Sequence, residues 1–110
     1  MTTHILKTYP DEWDAVENGY KRVELRSNED RKFNIGDTVY LVRQIEAKRD
    51  AAFDPTCMPL CFDIEHIVRG GCWGLADNVD AISIPDYIYK SPSADELNER
   101  FSPSDPLGQL

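Results

Sequence analysis

No run of about 18 consecutive apolar residues occurs anywhere in the 110-residue chain, so no part of it is long enough to cross a bilayer as a helix. The opening residues, Met1-Thr2-Thr3-His4, lack a basic segment followed by an apolar one. The expectation is therefore no secretory signal, no membrane partner and a cytoplasmic location. Cysteine is scarce and odd in number: Cys57, Cys61 and Cys72. An odd count without a secretory signal argues against a disulfide framework. The paired C-x-x-C knuckle is missing as well, so even with His66 nearby these thiols do not form a zinc pattern. Neither a metal nor another cofactor is expected. No internal repeat is present, which removes solenoid architectures. Bases are in the minority, with 12 Lys and Arg against 20 Asp and Glu and a net charge of −8. A chain this acidic repels phosphate backbones at long range, which excludes an extended duplex-binding face. A pocket for one nucleotide or base remains compatible with it.

What is present fits one small domain. Apolar residues make up 41% of the chain, enough for one modest core. A domain of this size buries only about two-thirds of its unfolded surface, so no large internal cavity is expected. The charge is uneven. Residues 77–110 hold seven acids against Lys90 and Arg100, whereas between Tyr20 and Lys32 five bases outnumber three acids.

His4 to Tyr9 reads as a first strand. Pro10 stands where helices start, and Asp11, Glu12 and Asp14 favour the positive end of the helix dipole. Trp13, Val16 and Tyr20 recur at helical spacing as one apolar face, and Gly19 supplies the stop, which predicts a helix over 10–19. Arg22 to Arg26 alternates. Val23 and Leu25 point one way and Arg22, Glu24 and Arg26 the other, which reads as a half-buried strand with a charged face. Residues 27–32 form a polar loop, and Phe33 to Asp37 a turn into a strand from Thr38 to Arg43. Residues 44–59 read as an extended hairpin loop. Leu60 to Val68 is β-like, Gly70-Gly71 breaks it, and Ala81 to Ile84 is a last short strand. Residues 86–110 form an acidic, Pro- and Ser-rich tail. Ser93 and Glu96 make a capping box for a short helix there. The expected domain is residues 1–85. It is α+β: one N-terminal helix with five or six short strands as a small barrel or strongly curved sheet.

The order of residues His4-Ile5-Leu6-Lys7, Pro10, Trp13, Ala15, the box Gly19-x-Lys21-x-x-Glu24-x-Arg26, Asp30-Arg31, Phe33, Gly36-Asp37 and Gly70-Gly71 resembles the DUF3850 family of bacteria and phages. The resemblance spans about residues 3–84. That family looks like part of the ASCH superfamily, whose fold is similar to the PUA RNA-binding domain. The resemblance implies a PUA-like β-barrel with a cleft beside the box, and a ligand that is single-stranded RNA or a modified nucleotide. One enzymatic branch of the superfamily removes the acetyl group from N4-acetylcytidine. It is similar at Lys21 and Arg26, but it has threonine where this chain has Glu24.

Physically, Lys21 lies at the corner between helix and strand and can anchor a phosphate or, if burial lowers its pKa, act as a base. Glu24 and Arg26 are two apart and share a strand face. Together they offer an acceptor and a fork of donors, a combination able to read the edge of a base. Against this stands a plain surface ion pair, worth only about 0–1 kcal/mol. Trp73, on a glycine-rich loop, either stacks a base or covers a barrel end. Arg31 is a further candidate phosphate contact. His4 and His66 have no evident partner in the sequence.

The leading expectation is a nucleotide- or RNA-binding module that uses Lys21, Glu24 and Arg26, with Arg31 and Trp73 as further contacts. One alternative is an acidic, phage-encoded interaction or inhibitor factor acting on a host protein. The other is an amidohydrolase on N4-acetylcytidine-like nucleosides, with Lys21 and Glu24 catalytic.

Overall fold

In the computed structural model, which describes residues 1–90, strand β1 (Thr3–Thr8) runs directly into helix α1 (Pro10–Glu17). Pro10 takes the first helical turn, where its missing N–H costs nothing. The helix ends two residues before the predicted boundary. Gly19 then adopts φ +79°, a conformation open to glycine because it has no Cβ. The amides of Tyr20 and Lys21 both turn back to the carbonyl of Ala15, at 2.8 and 3.0 Å. This corner redirects the chain. Trp13 and Val16 are buried as expected, but Tyr20 lies past the corner and is exposed. The Trp13 indole Nε1 donates to the carbonyl of Leu41 at 2.8 Å and fastens α1 to the neighbouring sheet.

The remaining strands are β2 (Val23–Ser27), β3 (Thr38–Arg43), β4 (Leu60–Asp63), β5 (Ile67–Val68), β6 (Val79–Ser83) and β7 (Tyr89–Lys90). They form a four-stranded sheet in the order β1-β3-β4-β7 and a three-stranded sheet in the order β2-β6-β5. Among the described residues only β1 and β3 pair in parallel, from Thr3 opposite Thr38 to Thr8 opposite Arg43. The expected α+β class is present. Among the described residues the strands do not close into a barrel, because β1 and β2 stand at the edges of separate sheets. The described residues also hold seven strands rather than five or six. One reason is that the segment Leu60 to Val68 divides. The amide of Ile64 bonds the carbonyl of Asp37 and its own carbonyl accepts from Gly36, both at 2.8 Å, which pulls the chain out of the first sheet before it enters the second. The other is β7, which pairs with β4 at Leu60–Lys90 and Cys61–Tyr89, within residues the sequence assigns to the tail. The short helix expected near Ser93 lies outside the described residues.

The core sits between the sheets. Leu6, Val39, Leu41, Leu60 and Phe62 from the first meet Ile82 from the second, with Trp13, Val16 and Phe33 closing the sides. A smaller cluster of Ile5, Val42 and Phe53 lies apart from it. The loop 44–59 folds back there through a Gln44–Phe53 bridge. The Asp37 carboxylate ties the N-terminus down. It accepts from the amides of Thr2 and Asn34, each at 3.0 Å, and from the ring of His4 at 2.9 Å. His4 therefore has a partner that the sequence did not disclose.

Strand β2 turns Glu24 and Arg26 inward. Val23 and Leu25 are 45% and 43% exposed, while Glu24 and Arg26 are 2% and 5% exposed. Pairing with β6 sets this facing: Glu24 lies opposite Ile82, itself fully buried, and Arg26 opposite Asp80. Alternation identifies a strand, but the same pattern fits with either face inward.

Candidate functional site

The inward face of β2 builds a cleft where the two sheets fail to join. Lys7, Thr8 and Tyr9 from the end of β1, Glu12 from α1, Lys21 from the corner, and Glu24, Leu25 and Arg26 from β2 line it. Its volume is about 210 Å³. That is below the roughly 300–1,000 Å³ of pockets for drug-sized ligands and is suited to something nearer a single base. Arg26 spans the seam. Its guanidinium donates to the Lys7 carbonyl at 3.1 Å, to Thr8 Oγ1 at 3.3 Å and to Glu24 Oε2 at 3.2 Å. The other Glu24 oxygen accepts from Lys21 Nζ at 2.7 Å, and Lys21 also donates to Glu12 Oε2 at 2.5 Å. Glu12, Lys21, Glu24 and Arg26 thus form one chain of alternating charge, running from an exposed end at Glu12 to a buried end at Arg26.

Burial alone would lower the Lys21 pKa. The hydrogen bonds to Glu12 and Glu24 and the charges of both carboxylates outweigh it, and the pKa is raised. Lys21 is therefore an ammonium at neutral pH, a donor and not a base. Two lysines and an arginine, Lys7, Lys21 and Arg26, line the cleft together with two carboxylates, Glu12 and Glu24. These basic side chains meet in a chain whose net charge is −8.

Of the five residues singled out from the sequence, Lys21, Glu24 and Arg26 converge on the cleft. Arg31 is half-buried and near Arg26: burial first, and then the Arg26 charge, lower its pKa. It is not among the lining residues. Trp73 is 92% exposed, with φ +51° in the turn between β5 and β6, and it does not line the cleft either. Sequence reasoning missed Lys7, Thr8 and Glu12. Lys7 read as a strand lysine and Glu12 as a helix-dipole acid, and only the meeting of β1, α1 and β2 gives them a common space. It also missed Asp80. This carboxylate is opposite Arg26 in the ladder and accepts from Asn28 Nδ2 at 3.0 Å, the Gly70 amide at 2.9 Å and Arg69 Nη1 at 3.2 Å. Its contacts hold the β5–β6 turn against the 27–32 loop.

A larger hollow of about 490 Å³ lies beside Trp13, Asp14, Arg43, Cys57 and Lys90. Its charged groups pair with one another, Arg43 with Asp14 and Lys90 with Glu17, and none of its charged side chains is buried. The smaller cleft is the better candidate because it exposes buried charge to an entering ligand. The three cysteines are dispersed: Cys57 is half-buried, Cys72 is exposed, and Cys61 is in β4, where burial pushes its thiol pKa up.

The family model described as "Domain of unknown function (DUF3850)" matches residues 3–84. No curated protein matches the chain.

Proposed function

The chain belongs to the DUF3850 family, and from that premise and the geometry of the cleft we propose that the protein binds the polar edge of a nucleobase, in a free nucleoside or nucleotide or in single-stranded RNA. The observation that carries this reading is the burial of Glu24 and Arg26 at the floor of an opening. A buried ion pair is weak support for a fold, since well-packed apolar residues of similar volume are often as stabilising or more so. Lys21 and Arg26 as donors and Glu24 as acceptor match the mixed donors and acceptors along a base edge. The resemblance to ASCH and PUA-like domains points the same way.

A panel of nucleosides, nucleotides and short single-stranded RNAs, titrated by NMR into wild type and Lys21→Ala, tests this. The expected result is shifts centred on Thr8, Lys21, Glu24 and Arg26 that are lost in the variant. Absence of shifts with every member, or identical shifts in the variant, contradicts the reading.

Hydrolysis of an N4-acetylcytidine-like amide is a second reading, favoured by the contact of a buried carboxylate with an ammonium. Glu24 would take a proton from water as the water adds to the acetyl carbonyl, with Lys21 stabilising the resulting oxyanion. The proton would then pass to the departing amine, leaving acetate and cytidine. Binding ranks first because both Glu24 oxygens already accept charged hydrogen bonds. Release of acetate above the level of a Lys21→Ala control would promote the second reading.

A further inference from the structure

The two carboxylates on Lys21 differ in one respect: the Glu12 side chain is 51% exposed, whereas that of Glu24 is 3% exposed. Glu24 is part of the floor. Glu12 stands at the exposed side of the cleft, on the first turn of α1. An ammonium has three N–H donors, and Glu12 and Glu24 take two of them. One donor is left for a ligand. A carbonyl oxygen of a neutral base can use that donor, and an exocyclic amine can donate to either carboxylate. A phosphate at the same place brings like charge against both Glu12 and Glu24, in a partly desolvated setting where screening is poor.

We propose that Glu12 is a specificity determinant of the cleft: by holding Lys21 it reserves the site for an uncharged base or nucleoside and keeps phosphate off the ammonium. This rests on the reading of the cleft as a base site. Without Glu12, Lys21 and Arg26 would face one buried carboxylate, and the preference would turn toward an anion.

The test compares wild type, Glu12→Gln and Asp11→Asn. Asp11 is an exposed acid of the same helical turn that does not line the cleft, so its loss changes net charge without releasing Lys21. Cytidine and cytidine 5′-monophosphate are titrated into each protein by calorimetry. Inorganic phosphate alone is titrated while the Lys21 side-chain resonances are followed by NMR. Wild type is expected to bind cytidine more tightly than its monophosphate. Glu12→Gln is expected to shift the ratio of dissociation constants by about fivefold toward the monophosphate, the upper range for a partly exposed pair, and to let phosphate perturb Lys21. Asp11→Asn is expected to do neither. An unshifted ratio in Glu12→Gln overturns the proposal, as does an equal shift in Asp11→Asn. If no nucleoside binds any of the proteins but phosphate reaches Lys21 in Glu12→Gln alone, the screening by Glu12 stands and the base reading falls. If phosphate perturbs Lys21 equally in wild type and Glu12→Gln, the screening by Glu12 falls, whatever the nucleosides do.

Discussion

Replacing Glu24 with glutamine preserves the side-chain shape and removes the charge that Lys21 and Arg26 both face. Arg26 would then keep its cation in a buried setting with a neutral amide in place of its carboxylate partner. Removing one member of such a pair costs about 3 kcal/mol, most of it from the charge left behind. Urea denaturation of Glu24→Gln should show a loss near that size at an unchanged m-value. The double variant Glu24→Leu/Arg26→Met should recover much of that loss, since it leaves neither of the two charges buried. It should nevertheless bind no nucleoside. Recovery of stability without recovery of binding would separate the function of the pair from its structural part. A double variant no more stable than Glu24→Gln would show that the pair is needed for the fold itself.

At the scale of elements, local chemistry carried much of the information and pairing carried the rest. Pro10 and Gly19 mark the two ends of α1 to within two residues, because a fixed φ and a left-handed turn are written into those residue types. The alternation from Arg22 to Arg26 announces β2. Which face turns inward depends on β6, far away in sequence, and apolar Val23 and Leu25 bias a reader toward the wrong one. The three box residues were legible as a group, because spacing two on a strand and a helix corner just before it place them together. Glu12 and Lys7 were not, because their meeting depends on three elements. The glycines make a sharp comparison between residues that serve a conformation and those that serve a contact. A Cβ on Gly70 would stand 2.2 Å from the Asp77 carbonyl oxygen, whereas one on Gly19 would meet nothing within 4 Å. Gly19→Ala should cost only the left-handed penalty, about 1–2 kcal/mol. Gly70→Ala must move backbone in the β5–β6 turn and should lower the thermal midpoint further. A smaller drop for Gly70→Ala than for Gly19→Ala would mean that this turn yields easily.

For the molecule as a whole, two buried carboxylates couple stability to acid. Burial by itself would push the Asp37 carboxyl up, but hydrogen bonds from His4 and from the Thr2 and Asn34 amides hold it below the usual carboxylate value. At Asp80 burial is likewise outweighed by Asn28, the Gly70 amide and Arg69. A carboxyl whose pKa is lower folded than unfolded stabilises fully above its unfolded value of about 3.9, and that contribution is lost as pH falls through the folded value. Stability should therefore be level in this respect near neutrality and fall below about pH 4. Asp37→Asn and Asp80→Asn should each start lower and flatten the acid limb, measured as unfolding free energy against pH. An acid limb of unchanged slope in both variants would assign the acid sensitivity to other groups.

The contrast between Trp13, locked by its indole N–H onto Leu41, and Trp73, standing 92% clear of the surface, gives the protein two built-in fluorophores in opposite surroundings. Trp73 should emit at long wavelength and be quenched readily by acrylamide; Trp13 should emit to the blue and resist quenching until the fold opens. With Trp73→Phe in place, the remaining signal reports the docking of α1, the helix that carries Glu12 to the exposed side of the cleft, so ligand entry and unfolding can be followed with the same intrinsic probe.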